Sequence, residues 1–193
     1  IELPLGARFT LGPFDIEYIA LTHSILEPNA LAIRTPLGLV LHTGDWKIDP
    51  DPQIGSATDV KGLTALGDEG VLAMVCDSTN VFEEGESGSE ESVKQGLIDL
   101  IAEQKQAVAV TTFASNVARV KSIVEAAESA GRAVCLVGRS MHRITDAAKS
   151  VGILPPHMEF IDESEASQIP AEHILYLCTG SQGEARAALT RIS

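Results

Sequence analysis

From about residue 70 onward, strand-like apolar segments alternate with amphipathic ones, and this alternation limits the possible folds more than any other feature. The strand-like segments are VLAMVCDS, AVAVTTF, AVCLVG, HMEFID and HILYLCTG. Helices are predicted between and after them over residues 89–103, 115–131, 140–151 and 183–192. Continuous apolar strands that alternate with amphipathic helices indicate a parallel sheet covered on both faces, so we predict an α/β fold.

The first 50 residues have a different pattern, with consecutive strands and turns and no helical period. The segments ARFTLG, FDIEYIALTH, ALAIRTP and LGLVLHTGD are each typical of a strand. A connector rich in Pro, Asp, Gly and Ser, DPDPQIGSAT, follows at residues 49–58. We therefore predict a β-rich segment with its connector over residues 1–58 and an α/β domain over 59–193. Residues 70–80 could pack with either part.

Charge and hydropathy exclude some classes of protein. The formal net charge of −13 argues against nucleic-acid binding through a simple basic patch, although a metal centre could supply positive charge locally. No apolar stretch is long enough for a membrane span, and no basic-then-apolar leader is present at the N-terminus. The three cysteines lie in apolar runs and are expected to be buried and reduced, which favours a cytoplasmic protein. Because no initiator Met is present, the chain is interpreted as a fragment.

Small polar residues follow the predicted strands of the α/β part, in CDSTN, TTFASN, VGRSM and CTGSQGE. The carboxyl ends of parallel strands meet at one edge of a sheet, and helix N-termini there attract anions such as phosphate. Ordinary helix capping accounts for each loop taken singly. We expect all four to face the same crevice, with Arg139 in one of them.

His23 and Asp45 each follow a strand of the β-rich part, and imidazole with carboxylate is a ligand pair suited to zinc or manganese. Capping at strand ends explains the same residues, so their spacing alone does not decide between the two roles. The other four histidines have no companion ligands and are interpreted as structural. No G-x-S-x-G motif is present, which argues against a serine hydrolase of the α/β type.

Taken in order, THS, LAIRTPLG, HTGDWKIDP, CDSTN, TTFASNVARV, VGRSM and LCTGSQGE resemble the ribonuclease J family over nearly the whole chain. That family is the branch of the metallo-β-lactamase superfamily with an inserted β-CASP domain. The resemblance implies a partial metallo-β-lactamase segment followed by a parallel-sheet α/β/α domain of the β-CASP type. It also implies an RNA-cleaving hydrolase, both endonuclease and 5′-exonuclease, that uses two metal ions to activate water. Zinc is the usual metal, with manganese or magnesium as alternatives, and the intact protein is expected to be a homo-oligomer.

The resemblance also implies roles for particular residues. His23 matches a metal-binding histidine of the family, and Asp45 matches the aspartate that bridges the two metals, which makes both catalytic. In the family, the loops that contain Phe113, Ser115, Asn116, Ser181, Gln182 and Glu184 border the RNA channel. With Ser78 of the DST phrase and Arg139 of the VGRSM loop, these residues are predicted to bind RNA.

The sequence also departs from the family. The His-x-His-x-Asp-His motif would precede residue 1, the His-Thr-Ser-Gly-His loop would follow residue 193, and Leu26 stands where proline is common. We therefore expect part of a metal-dependent ribonuclease that is inactive as a fragment. The alternatives are a non-catalytic module that binds RNA or phosphate, and another hydrolase of the metallo-β-lactamase type.

Overall fold

A computed structural model describes residues 2–183 and 187–192 of the chain. The fold separates into two compact units, one ending at Ser89 and the other beginning at Glu90. The predicted boundary lay at residue 58, before the elements that complete the sheet of the first unit. None of the described helices has the length and apolar character needed to cross a membrane.

The first unit is a five-stranded sheet with the strands in chain order. Its elements are β1 Arg8–Leu11, β2 Phe14–Ala20, β3 Asn29–Thr35, β4 Gly38–His42, α1 Val60–Glu69 and β5 Val71–Val75. Neighbouring strands are antiparallel except β4 and β5, which are parallel and are joined by the crossover through α1. The predicted strands of this part are confirmed, whereas α1 was not predicted.

One face of this sheet forms the core of the unit together with α1. The buried members are Ile19, Leu21, Ala30, Ala32, Leu39, Leu41 and, from the helix, Leu66. Residues two apart on a strand point to the same face, so β3 contributes only its alanines here and leaves room for the helix. Asp59 begins α1, because its side chain accepts a hydrogen bond from the Gly62 N–H at 2.9 Å.

Strand β5 decides the assignment left open for residues 70–80 and corrects one prediction. It pairs with β4 in the first sheet, whereas VLAMVCDS was expected to be a buried strand. It is the last strand of that sheet, and Leu72 and Met74 are 65% and 60% exposed. An apolar run indicates a strand, but it does not identify the neighbouring strand.

The second unit has a three-stranded parallel sheet in the order β6-β8-β7. Its strands are β6 Val108–Thr111, β7 Ala133–Val137 and β8 Ile174–Cys178, and its helices are α2 Glu90–Ala102, α3 Val117–Ser129, α4 Arg139–Ser150, α5 Glu163–Ala166 and α6 Leu189–Ile192. Cys135, Val137, Ile174 and Cys178 pack on one face with residues of α5 and the segment before α6. Helix α3 buries Val120, Ile123 and Val124 against the sheet.

The predicted α/β pattern is confirmed here, including α2, α3 and α4 to within about two residues at each end. The predicted strand HMEFID is wrong. Only Ile161 forms a single bridge, to Cys135, because Asp162 directly afterwards caps α5 in a capping box. Of the predicted last helix, Leu189–Ile192 is helical, and residues 184–186 lie outside the described part of the chain.

Candidate functional site

Three polar residues follow strands that end at the same edge of the first sheet. Strand β3 is antiparallel to both β2 and β4, and β4 is parallel to β5, so β2, β4 and β5 run in one direction. His23, Asp45 and Asp77 come within three residues of the ends of these strands. The topology therefore places all three at the carboxyl edge of this sheet.

Thr22 ties the end of β2 to the segment after β4. Its hydroxyl donates to the Lys47 carbonyl at 2.6 Å, and the Lys47 N–H donates to the Thr22 carbonyl at 2.9 Å. Thr22 and Lys47 thus form an isolated antiparallel bridge. In an antiparallel bridge the next pair along the two chains is His23 with Trp46. Because Asp45 is the residue next to Trp46, the backbone brings His23 and Asp45 close together.

Thr43 makes a similar tie between β4 and β5. Its N–H donates to the Val75 carbonyl at 2.9 Å, and its hydroxyl accepts from the Asp77 N–H at 3.1 Å. The Trp46 indole N–H also donates to the Asp77 carbonyl, at 3.3 Å. Thr22, Thr43 and Trp46 were not identified from the sequence, although a threonine directly after a strand is a usable signal.

The side chains of His23, Asp45 and Asp77 differ in how many hydrogen bonds they already make. His23 has the Ser24 hydroxyl 3.3 Å from Nδ1, and its Nε2 makes no hydrogen bond to the described residues. The exposed Asp45 carboxylate likewise has no partner among them. Asp77 is engaged, because the Thr79 N–H and hydroxyl donate to its Oδ1 at 3.0 and 2.6 Å. These bonds hold the pKa of Asp77 below its usual value, and the nearby His23 adds to the effect.

The imidazole of His23 and the carboxylate of Asp45 fit a zinc-type metal as part of a ligand set. Among residues 2–183 and 187–192, no group of three or more His, Cys, Asp or Glu side chains is placed to hold a metal ion. The described residues therefore bring two uncommitted donors to one edge without completing a site.

The second sheet has its own carboxyl edge, formed by the loops after β6, β8 and β7 in that spatial order. The Thr112 N–H donates to the Cys178 carbonyl at 3.0 Å, which extends the pairing of β6 and β8 into the loops. Phe113 is 46% exposed at this edge. Ser115, Ser181, Gln182 and Arg139 are also exposed.

Two of the predicted RNA-binding residues, Asn116 and Ser78, are placed differently from the rest. Asn116 is 6% exposed, and its side chain caps α3 by accepting from the Arg119 N–H at 3.0 Å. Ser78 belongs to the edge of the first sheet, where its hydroxyl donates to the Cys76 carbonyl at 3.2 Å. Glu184 lies outside the described residues.

The prediction that four strand ends share one sheet edge is therefore wrong for CDSTN. That loop follows β5, which pairs with β4, so it lies on the first sheet with His23 and Asp45. The loops TTFASN, VGRSM and CTGSQGE follow the three parallel strands of the second sheet, as predicted.

Comparison with known proteins adds evidence independent of this geometry. Residues 105–193 match the family model described as Ribonuclease J, beta-CASP domain. Over an alignment of 197 residues the chain is 50% identical to ribonuclease J of Sinorhizobium meliloti, covering 100% of the chain and 35% of that protein. Residues 105–193 belong to the β-CASP domain family of ribonuclease J, and the whole chain is similar to part of ribonuclease J. The resemblance noted in the sequence is thereby confirmed.

Other relatives of the ribonuclease J family agree. The ribonuclease J of Corynebacterium glutamicum is 45% identical over 100% of the chain and 27% of that protein. For Helicobacter pylori strain 26695 the identity is 37% over 95% of the chain and 27% of the relative. The chain thus spans about a third of the length of these ribonuclease J proteins.

A solved structure shares the fold. The crystal structure of a protein of unknown function from Enterococcus faecalis V583 superposes with a TM-score of 0.63 at 19% identity, covering 94% of the chain and 45% of that protein. The mixed sheet followed by a parallel three-stranded sheet agrees with a β-CASP domain, so the predicted fold class is confirmed.

Proposed function

We propose that this chain is part of a metal-dependent ribonuclease, in which it supplies two metal ligands and a β-CASP domain that binds RNA. The observation that carries the proposal is that His23 and Asp45 lie at one sheet edge with uncommitted donor atoms. The similarity to ribonuclease J supplies the substrate class. The proposed reaction is hydrolysis of RNA phosphodiester bonds, internally and from the 5′ end.

Each residue has a defined task in this proposal. The Ser24 hydroxyl at Nδ1 orients the His23 ring, so that Nε2 is the atom available to a metal. Asp45 has two carboxylate oxygens, which allows one side chain to bind two ions. A bound pair of ions would supply a water activated for attack at neutral pH. The backbone ties made by Thr22 and Thr43 hold the two ligands in place.

The second sheet would bind the RNA strand along its carboxyl edge. Phe113 offers an exposed ring on which a base can stack, and Ser115, Ser181 and Gln182 offer exposed polar groups. Arg139 adds positive charge at the other end of the edge. We further propose that the intact enzyme is cytoplasmic, in keeping with the two buried free thiols. We also propose that it is a homo-oligomer.

The decisive experiment compares variants of the full-length protein on a 5′-monophosphorylated RNA. Asp45→Ala and His23→Ala should lower the cleavage rate by more than the roughly 10–100-fold that loss of an outer-shell partner costs. The amount of bound zinc, measured by elemental analysis, should also be lower in both variants. Asp68→Ala is the matched control, because Asp68 is an exposed carboxylate on α1 without a partner among the described residues. Unchanged cleavage in Asp45→Ala would remove Asp45 from the mechanism.

A second function, binding of RNA or phosphate without catalysis, is favoured for the 193-residue chain itself by the incomplete ligand set among the described residues. We expect this chain to bind zinc weakly and to cleave no RNA. Equilibrium dialysis with zinc and a gel assay of RNA cleavage test this. Tight, stoichiometric zinc binding together with RNA cleavage would contradict this expectation. Hydrolysis of small esters or lactones without RNA cleavage would instead favour another activity of the metallo-β-lactamase type.

A further inference from the structure

The first two turns of α4 carry a local concentration of basic side chains on an acidic protein. Arg139, His142 and Arg143 are all exposed, and residues three and four apart lie on the same face of a helix. These three residues are called the α4 basic face below. The chain as a whole has a formal net charge of −13, so this face is an exception to its surroundings.

The guanidinium groups of this face are not neutralised by the described part of the protein. Most other arginines there are engaged, as shown by the pairs Arg8–Asp15, Arg34–Glu69 and Arg119–Glu90 and by the hydrogen bonds of Arg132 to backbone carbonyls. Arg139 and Arg143 make no ion pair or hydrogen bond with a described residue. As far as the described residues show, their charges remain available to a partner.

The direction of α4 adds to the positive potential. The helix begins after Gly138, which makes no side-chain cap hydrogen bond, so no side chain at that position offsets the positive end of the helix. The helix dipole places partial positive charge at this end. Asp146 is the next charged residue on the same face, three residues after Arg143, so the positive potential is greatest in the first turn.

The opposite face of α4 limits the kinds of partner. Met141, Thr145 and Ala148 are buried in the unit, so α4 has no free apolar face with which to enter a lipid surface. Exposed arginines spaced along a helix instead suit a chain of phosphate groups, which guanidinium binds through paired hydrogen bonds.

We propose that the α4 basic face binds the phosphate backbone of single-stranded RNA outside the metal centre, and this inference rests on the proposed ribonuclease function. The face begins directly after β7, at the carboxyl edge of the second sheet. An RNA strand that crosses this edge from β6 through β8 to β7 continues onto α4. His142 and Arg143 thereby extend the interface beyond the loops to the helix itself.

The test measures RNA affinity of the full-length protein by fluorescence anisotropy, with a labelled polyuridine oligonucleotide at several salt concentrations. The variant Arg143→Ala leaves Arg139 in place and should bind roughly fivefold more weakly, and its log–log salt dependence should be shallower by about 0.7 for one phosphate that is no longer neutralised. Alanine is favourable at exposed helix positions, so the fold is expected to persist, and a thermal melt checks this.

Two matched variants separate a local site from overall charge. Lys105→Ala removes the same kind of charge from an exposed residue before β6, which has no partner among the described residues and lies at the amino edge of the same sheet. It should change the affinity by less than about twofold. Asp146→Asn removes the negative charge from the end of the α4 basic face and should tighten binding.

The outcomes distinguish this inference from the function on which it rests. RNA binding at wild-type affinity in Arg143→Ala would overturn the α4 site and leave the ribonuclease proposal standing. An equal loss in Lys105→Ala would also overturn it, because overall charge would then be the cause. If the wild-type protein neither binds nor cleaves RNA, both proposals fail.

Discussion

At the scale of single residues, Gly180 shows why the loop CTGSQGE contains so many small residues. Gly180 is buried and has φ +132°, a conformation that side-chain-bearing residues rarely adopt. A Cβ added there would lie 2.7 Å from the Leu189 Cβ and 3.2 Å from the Ala187 Cβ. The glycine thus allows the end of β8 to pass close to the segment that leads into α6.

We expect Gly180→Ala to lower the free energy of unfolding by about 2–4 kcal/mol, from backbone strain together with overpacking. Urea unfolding followed by circular dichroism measures this. Gly96→Ala is the control, because Gly96 lies within α2 with no atom near the added Cβ, and alanine there should stabilise by up to about 1 kcal/mol. Equal effects of the two substitutions would contradict the steric explanation.

The cysteines divide by environment at the same scale. Cys135 and Cys178 are fully buried, and burial raises the pKa of the Cys135 thiol to about 11. A thiol with such a pKa is protonated at neutral pH and is a poor nucleophile. The expectation of buried cysteines is confirmed for these two, whereas Cys76 is only half-buried.

At the scale of elements, Arg132 joins the amino ends of the second sheet. It directly precedes β7 and is 4% exposed, and its Nη1 donates to the carbonyls of Gln106 at 2.9 Å and Ile174 at 3.1 Å. Its Nη2 donates to the Gln104 carbonyl at 2.6 Å. One side chain therefore connects the start of β7 with the start of β8 and the loop before β6.

Replacing Arg132 by alanine should lower the free energy of unfolding by about 3 kcal/mol, because three carbonyl groups, including that of the buried Ile174, lose a charged donor. Arg132→Lys keeps the charge but lacks the planar guanidinium group. Its free energy of unfolding should therefore lie between those of the wild type and of Arg132→Ala. Urea denaturation gives the order of the three proteins. A lysine variant as stable as the wild type would show that charge alone is sufficient.

At the scale of the whole molecule, charge is the dominant property. The net charge of −13 and the sequence pI of about 4.7 mean that like charges repel in the folded state at neutral pH. Glu83, Glu84 and Glu86 contribute to this in the exposed loop before α2. Salt should relieve the repulsion, because the screening length falls from about 30 Å at 0.01 M to about 10 Å at 0.1 M.

We therefore expect the melting temperature to rise by about 2–4 °C between those two ionic strengths, which corresponds to roughly 1 kcal/mol in a chain of this size. Differential scanning calorimetry in sodium chloride and in choline chloride measures it. Similar shifts in both salts indicate screening. A shift in only one salt, or a fall in melting temperature, would contradict this explanation.

Local patterns in the sequence were sufficient for much of the fold and for the family. The helices α2, α3 and α4 follow from amphipathic segments of one to two dozen residues. The motifs from THS to LCTGSQGE identified the ribonuclease J family. His23 and Asp45 were recognised through the same motifs, and their metal-binding role stays a prediction.

Only the tertiary structure decided which segments became neighbours. It paired β5 with β4 and so placed CDSTN beside His23 and Asp45, and it set the order β6-β8-β7. It also revealed the ties from Thr22 to Lys47 and from Thr43 to Asp77. The physical reason is that hydrophobic period and capping are properties of a short segment, whereas strand pairing depends on partners far apart in the chain.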